Sequence, residues 1–163
     1  VTTSDGQGNG YIIPGTDVMM NNMLGEADLN PNGFHQWLPD SRVPSMMSPT
    51  IATRNGKLKT VLGSGGSNRI RTAILQVISN LVDFKMPLEE AVDSPRIHLE
   101  GDTLEIEHGF LPDQIERAKV ERFCKKSVWD FKHMFFGGVH SIEVEENGTA
   151  RGAGDTRREG VAI

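Results

Sequence analysis

The 163 residues are enough for one domain with a sizeable core, and a hydrophobic fraction of 37% describes a globular chain rather than a disordered one. A formal charge of -5 with no conspicuous basic patch argues against nucleic acid as a partner, and the apolar runs are far too short to span a bilayer. A single cysteine, Cys124, excludes an internal disulfide and a cysteine-based zinc cluster.

In chain order, residues 1–10 are small, polar and glycine-rich and read as loop. Tyr11, Ile12 and Ile13 end that loop, and Pro14-Gly15 marks a turn. Asp17 to Asn22 reads as a short buried strand closed by two amides. Residues 23–44 are rich in Gly, Pro, Asn and Asp, with Phe34, Trp37 and Leu38 as anchors. A loop of that length in a compact domain is usually functional or disordered. Thr50 to Thr53 and Lys57 to Leu62 are the strands of a hairpin, and Asn55-Gly56 is its turn. A helix is predicted from Asn68 to Asp83, because Ile70, Ala73, Ile74, Val77, Ile78, Leu81 and Val82 recur at threes and fours. Pro87 to Val92 forms a second, short helix with Glu89 and Glu90 early in it, ended by Ser94-Pro95. Arg96 to Leu99 and Thr103 to Glu107 are short strands, and Leu111 to about Phe123 is a third helix. Strands Lys126 to Asp130 and Val139 to Glu145 follow, then a turn at Glu146-Asn147-Gly148 and a strand Thr149 to Gly152. This order predicts an α+β fold of mostly antiparallel sheets with helices on the faces.

Between the predicted strand ending at Leu62 and the long helix lies Gly63-Ser64-Gly65-Gly66-Ser67. Glycines let a backbone turn sharply and approach a ligand, and a helix start offers unpaired N–H groups and partial positive charge. A nucleotide P-loop needs Gly-Lys-Ser/Thr, and no Lys is present. A dinucleotide fingerprint needs a third Gly where Asn68 stands. A serine nucleophile elbow needs Gly where Arg69 stands. An oxyanion hole of backbone N–H groups remains open, beside the plainer reading of a strand-to-helix turn.

Several pieces read jointly say more. Met19-Met20-Asn21-Asn22, Ser45-Met46-Met47-Ser48-Pro49-Thr50-Ile51, Gly63-Ser64-Gly65-Gly66-Ser67-Asn68-Arg69-Ile70, Ala91-Val92-Asp93-Ser94-Pro95-Arg96-Ile97-His98 and Gly154-Asp155-Thr156-Arg157 follow one another over nearly the whole chain. Together they resemble the small-subunit part of γ-glutamyltransferases, the glutathione hydrolases of the N-terminal nucleophile hydrolase superfamily. The resemblance implies an αββα sandwich built jointly with a large subunit, the N-terminal half of the same self-cleaved precursor. It implies a γ-glutamyl small-molecule substrate, a water or amino-acid acceptor, and no cofactor or metal. The family's nucleophile is a Thr at the small subunit's N-terminus, whose α-amino group serves as base. Thr2 is too close to Asn21 to be that residue, because in the family a strand lies between the two. The catalytic Thr is therefore expected upstream of Val1, in a segment this chain lacks, and the chain alone is expected to be inactive.

Carried over position by position, the resemblance makes Thr3 the second threonine, whose hydroxyl supports the nucleophile. Asp5 stands where an Asn contacts substrate, and a carboxylate cannot donate. Glu26 is the acid that binds the substrate's α-ammonium, while Met23 replaces a polar helper. Ser45 is the first of two serines that hold the α-carboxylate, and Met46 replaces the second. Gly65 and Gly66 fall at or next to the oxyanion-hole glycines, with Ser67 as second donor if the register shifts by one. These departures suggest a divergent bacterial or archaeal branch, and the substrate is expected to be glutathione or a related γ-glutamyl compound. The alternatives are an acylase for a cephalosporin-type amide or poly-γ-glutamate, or a non-catalytic binding member of the fold.

The remaining candidates have plainer readings. The five histidines show no metal-ligand spacing. Glu143, Glu145 and Glu146 alternate with Ile142 and Val144 and read as the solvated side and end of a hairpin. Met19, Met20, Met46 and Met47 read as packing. Arg157 and Arg158 read as surface residues, with pairing across the subunit interface as the alternative.

Overall fold

The computed structural model describes residues 8–118 and 125–162. The chain divides into two units, Val1–Met47 and Ser48–Ile163.

In the first unit, β1 (Ile12–Ile13) and β2 (Val18–Met19) form a short antiparallel ribbon. The strand expected over Asp17 to Asn22 is thus shorter, and it is exposed rather than buried: Val18 and Met19 are 55% and 49% accessible. Two strands alone offer no second layer to cover either face. Two 3₁₀ turns follow, Met23–Gly25 and Ala27–Leu29. They are tied down by buried Asn30, whose amide donates to the carbonyls of Leu24 (3.0 Å) and Glu26 (2.7 Å). The Asn30 Oδ1 accepts from the Trp37 indole at 3.0 Å. Of the three expected anchors only Trp37 acts as one; Phe34 and Leu38 are exposed.

The second unit runs β3 (Thr50–Arg54), β4 (Lys57–Gly65), α1 (Arg69–Val82), α2 (Leu88–Asp93), β5 (Ile97–Glu100), β6 (Thr103–Ile106), α3 (Pro112–Ala118), β7 (Lys125–Val128), β8 (Gly138–Val144) and β9 (Ala150–Ala153). β3, β4, β8 and β9 lie side by side in that order, every pair antiparallel. The β3–β4 hairpin closes on Asn55 and Gly56, both at positive φ (53° and 76°), as the tight two-residue turn requires. β4 continues past the expected Leu62, because Gly63, Ser64 and Gly65 pair with His140, Val139 and Gly138 of β8. The expected third helix is described over Pro112–Ala118; residues 119–124, with Cys124, lie outside the described residues.

Alternation along β4 and β8 decides the layers. Thr60, Leu62, Ser64, Val139 and Ser141 are buried on one face. There α1 packs on β4 and β8, and α2 on β8 and β9. The predicted helical stripe buries Ile70, Ala73, Ile74 and Val77, while Val82 at its end is exposed. A second sheet, β5-β6-β7, holds the one parallel pair among the described residues, β6 with β7. The class is α+β with mostly antiparallel strands, as expected. No helix among the described residues is long and apolar enough to cross a membrane.

Candidate functional site

The glycine segment is a tight corner between β4 and α1. Gly66 (φ 129°) and Ser67 (φ 56°) both occupy the positive-φ region. A Cβ on Gly66 would lie 2.9 Å from the Gly137 Cα, a backbone atom that cannot swing away. A Cβ on Gly137 would press on Ala73, Ser64 and the Gly65 carbonyl at 3.0–3.2 Å. Ser64 Oγ donates to the Gly65 carbonyl (2.9 Å) and accepts from the Gly138 N–H (3.2 Å). Two glycine pairs, 65–66 and 137–138, therefore meet backbone to backbone. The first turn of α1 is held from β5: Asn68 Nδ2 donates to Glu100 Oε2 at 2.6 Å, and the same oxygen lies 2.8 Å from His98 Nε2. The other ring nitrogen of His98 is 2.8 Å from Thr72 Oγ1 on α1. The hydrogen bond from His98, with that from Asn68, draws the Glu100 carboxyl below its usual pKa against a small cost of burial.

Arg158 lies on the side-chain-free wall these glycines make. Its Nε is 3.5 Å from where a Gly65 Cβ would stand, and its Nη2 the same distance from a Gly66 Cβ; at Gly138 a Cβ would collide with Cδ at 2.5 Å. Burial, then the neighbouring Arg69 charge, pushes the guanidinium below its usual pKa, with Asp155 opposing.

Behind the corner is a buried ionic cluster. Arg157 grips Glu107 with two parallel bonds, Nε–Oε1 at 2.7 Å and Nη2–Oε2 at 2.6 Å, and reaches Asp155 Oδ1 at 3.1 Å. Arg96 Nη2 donates to Asp155 Oδ2 at 2.6 Å. The two arginines also donate to the carbonyls of Val92, Ser94 and Phe136, which ties α2 and the β8 start together. Arg157 is therefore interior and fully partnered, which corrects the expectation of a surface residue. Burial would raise the Asp155 carboxyl, but the Arg96 and Arg157 charges and the N–H groups of Arg157 and Val139 outweigh it and hold it below its usual value. For Arg157, Glu107 and Asp155 likewise outweigh burial and raise the guanidinium.

The other expected site residues lie in the first unit. Glu26 is partly buried between the two 3₁₀ turns, its backbone fixed by Asn30, and no described residue bonds or pairs with its carboxylate. Ser45 Oγ accepts from the Met47 N–H at 3.2 Å, and Met46 beside it is partly buried. Thr3 and Asp5 lie outside the described residues.

Residues 1–163 match the γ-glutamyltranspeptidase family. The chain belongs to that family. It is 34% identical over 151 residues to the acylase ACY 1 proenzyme of Pseudomonas sp. (strain SE83), which covers 93% of this chain and 26% of that protein. It is 30% identical over 164 residues to the glutathione hydrolase proenzyme of Escherichia coli (strain K12), covering 92% of this chain and 27% of the proenzyme. A mutant γ-glutamyltranspeptidase from Helicobacter pylori superposes with a TM-score of 0.77 at 30% identity, over 96% of this chain and 91% of that one. The chain thus spans about a quarter of the length of the curated proenzymes it matches.

Family membership gives the geometry its chemical frame, and the structure brings together more than the sequence marked. Gly65, Gly66 and Ser67 form one corner; Gly137, Gly138 and Arg158, which complete its wall, were not singled out as site residues. A Gly-Gly pair at 137–138 was the available signal. Among the described residues no group of three His, Cys, Asp or Glu side chains is placed to hold a metal.

Proposed function

We propose that this chain carries the oxyanion-binding corner and the substrate-recognition residues of a threonine amide hydrolase or acyltransferase, completed by the preceding segment of its precursor. The observation that carries the reading is the Gly65-Gly66-Ser67 corner, turned at positive φ between a strand end and a helix start, in a chain of this family.

In the proposed reaction the upstream Thr hydroxyl attacks the γ-carbonyl carbon of the bound amide. Its proton passes to the free α-amino group of the same residue. The carbonyl electrons move onto oxygen, and the backbone N–H groups at residues 65–67 hold that oxyanion, a contact typically worth about 10²–10³ in kcat. Collapse expels the amine with the proton and leaves an ester on Thr. Water or an acceptor amine then repeats the sequence in reverse. Glu26 holds the α-ammonium and Ser45 the α-carboxylate of the γ-glutamyl group, with Thr3 supporting the nucleophile and Asp5 near the substrate. The complete precursor should release p-nitroaniline from γ-glutamyl-p-nitroanilide, and residues 1–163 alone should not. Turnover by the 163-residue chain would return the nucleophile to Thr2.

A second reading is an acylase for a less polar acyl group. It is favoured by Met46, where the family's second carboxylate-binding serine is replaced, and by the 34% identity to an acylase proenzyme. Faster turnover of a glutaryl anilide, which lacks the α-amino and α-carboxylate groups, than of its γ-glutamyl counterpart would select it.

A further inference from the structure

Asn68, Thr72 and Gln76 follow one another at a spacing of four, from the N-cap of α1 into its second turn. That spacing puts them on one face of the helix, and all of them meet β5. Gln76 accepts from the Ile97 N–H and donates to the Ile97 carbonyl, both at 2.9 Å. Thr72 Oγ1 lies 2.8 Å from His98 Nδ1, and Asn68 Nδ2 donates to Glu100 Oε2 at 2.6 Å. His98 Nε2 lies 2.8 Å from that same oxygen. A carboxylate only accepts, so the proton between them sits on Nε2.

An Asn at an N-cap ordinarily accepts from the first N–H groups of its own helix. Asn68 makes no such bond. Its Oδ1 accepts from Arg69 Nη1 at 2.8 Å, and its Nδ2 is given to Glu100. Arg69 in turn donates from Nε to the Phe135 carbonyl at 3.1 Å and lies over the Phe135 ring, 4.8 Å from its centroid. The edge of that ring meets His98, with centroids 6.1 Å apart. Phe135 stands just before the Gly137-Gly138 pair. On the other side the Arg69 N–H donates to the Gly66 carbonyl at 3.2 Å, and the Ile70 N–H to the Ser67 carbonyl at 3.1 Å. Asn68 and Arg69 therefore link β5 to both halves of the glycine corner. His98 is buried, whereas the Glu100 side chain is 55% accessible. Bonds from a side chain this exposed add little to stability, so their effect lies in the direction they impose.

We infer that Glu100, held by His98, is a positioning residue for the oxyanion corner: through Asn68 and Arg69 it fixes the aim of the backbone N–H groups at residues 65–67. The inference rests on the proposed function for the reaction, and on the hydrogen bonds alone for the clamp.

The test compares Glu100→Ala, Glu100→Gln and Gln76→Leu in the complete protein. Glu100→Ala should lower kcat for γ-glutamyl-p-nitroanilide by about 10-fold, short of the roughly 10²-fold that a full 1 Å misplacement can cost. KM should stay within about twofold, because a transition-state contact is what is lost. Glu100→Gln, whose side-chain oxygen still accepts from Asn68, should recover most of kcat. Gln76→Leu cuts the ladder away from the corner; it should lower the melting temperature at least as much as Glu100→Ala and keep kcat. Hydrogen exchange over residues 64–70 should quicken in Glu100→Ala and not in Gln76→Leu. Unchanged exchange at the corner overturns the clamp. A rise in KM with kcat kept, or a loss of kcat that follows melting temperature across the three variants, overturns the positioning role. If exchange responds as expected but the wild type does not hydrolyse the anilide, the clamp stands and the proposed reaction falls.

Discussion

Asp155 has no accessible surface and sits between two guanidiniums, so its charge state is coupled to folding. Its carboxyl is held below the usual pKa in the fold, so it binds a proton more readily when unfolded. The stability it contributes is present above the unfolded value of about 4 and is lost as pH falls through the lower folded value. Urea unfolding midpoints should therefore drop on acidification below about pH 4. Asp155→Asn at neutral pH should cost about 3–5 kcal/mol, because Arg96 and Arg157 lose their shared counter-charge without leaving the interior. Its acid limb should also be shallower than the wild type's; equal limbs would show that another carboxylate carries the acid sensitivity. Gly66 makes a second test at this scale. Gly66→Ala must accept φ 129° and a backbone atom at 2.9 Å, whereas Gly25 has neither positive φ nor any atom within 4 Å of an added Cβ. Gly66→Ala should lower stability by about 1–3 kcal/mol and Gly25→Ala by far less. Equal melting temperatures for the two variants would show that the corner relaxes.

Elements whose cause is local were readable in the sequence. The α1 stripe and the Asn55-Gly56 turn need only near neighbours, and both stand within a residue or two of where periodicity and turn chemistry put them. Features set from a distance were not readable. β4 gains three residues from β8, and Gly138 meets Ser64 across 74 positions of chain. Arg157 is drawn inside by Glu107, 50 residues away, and a charged residue near a polar tail gives no local hint of that. The candidate site divides the same way. The family resemblance singled out Gly65, Gly66 and Glu26 as candidates, but nothing local could show that Arg158 lies along the glycine wall. The first unit offers a prediction about such indirect support. Asn30 donates to the carbonyls of Leu24 and Glu26 and accepts from the Trp37 indole N–H, so it orders the segment that carries Glu26. Asn30→Ala should speed hydrogen exchange over residues 24–37. On the proposed function, it should raise KM for a γ-glutamyl substrate severalfold in the complete protein with little change in kcat, as expected for lost ground-state binding. Unchanged exchange with unchanged KM would mean that Glu26 is held by something else.

At the scale of the whole molecule, the four-stranded sheet has one face under α1 and α2, while on the other the C-terminal residues meet only the β8–β9 side, Ala162 at Gly152 and Gly160 at His140. The register places Ile51, Val61 and Ile142 side by side across β3, β4 and β8 on that second face, with Gly152 of β9 completing the row. Ile51 and Ile142 are 68% and 48% accessible. The outer strands β3 and β9 also present backbone groups with no further strand beyond them among the described residues. An exposed apolar row bounded by open edges is a surface that pairs with other chains. The chain spans about a quarter of its relatives' length, and on the proposed function this surface is the one offered to the preceding segment. Residues 1–163 alone should therefore self-associate, and sedimentation velocity should show dimers or larger species at micromolar concentration. Ile51→Lys places a charge on the edge strand in the middle of that row and should shift the distribution toward monomer without loss of helical signal. Co-expression with the preceding segment should give the same result without any substitution, because the two pieces then compete for one surface. A wild-type chain that sediments as a monomer and unfolds in one cooperative transition would show that the exposed row is stable in water and needs no partner.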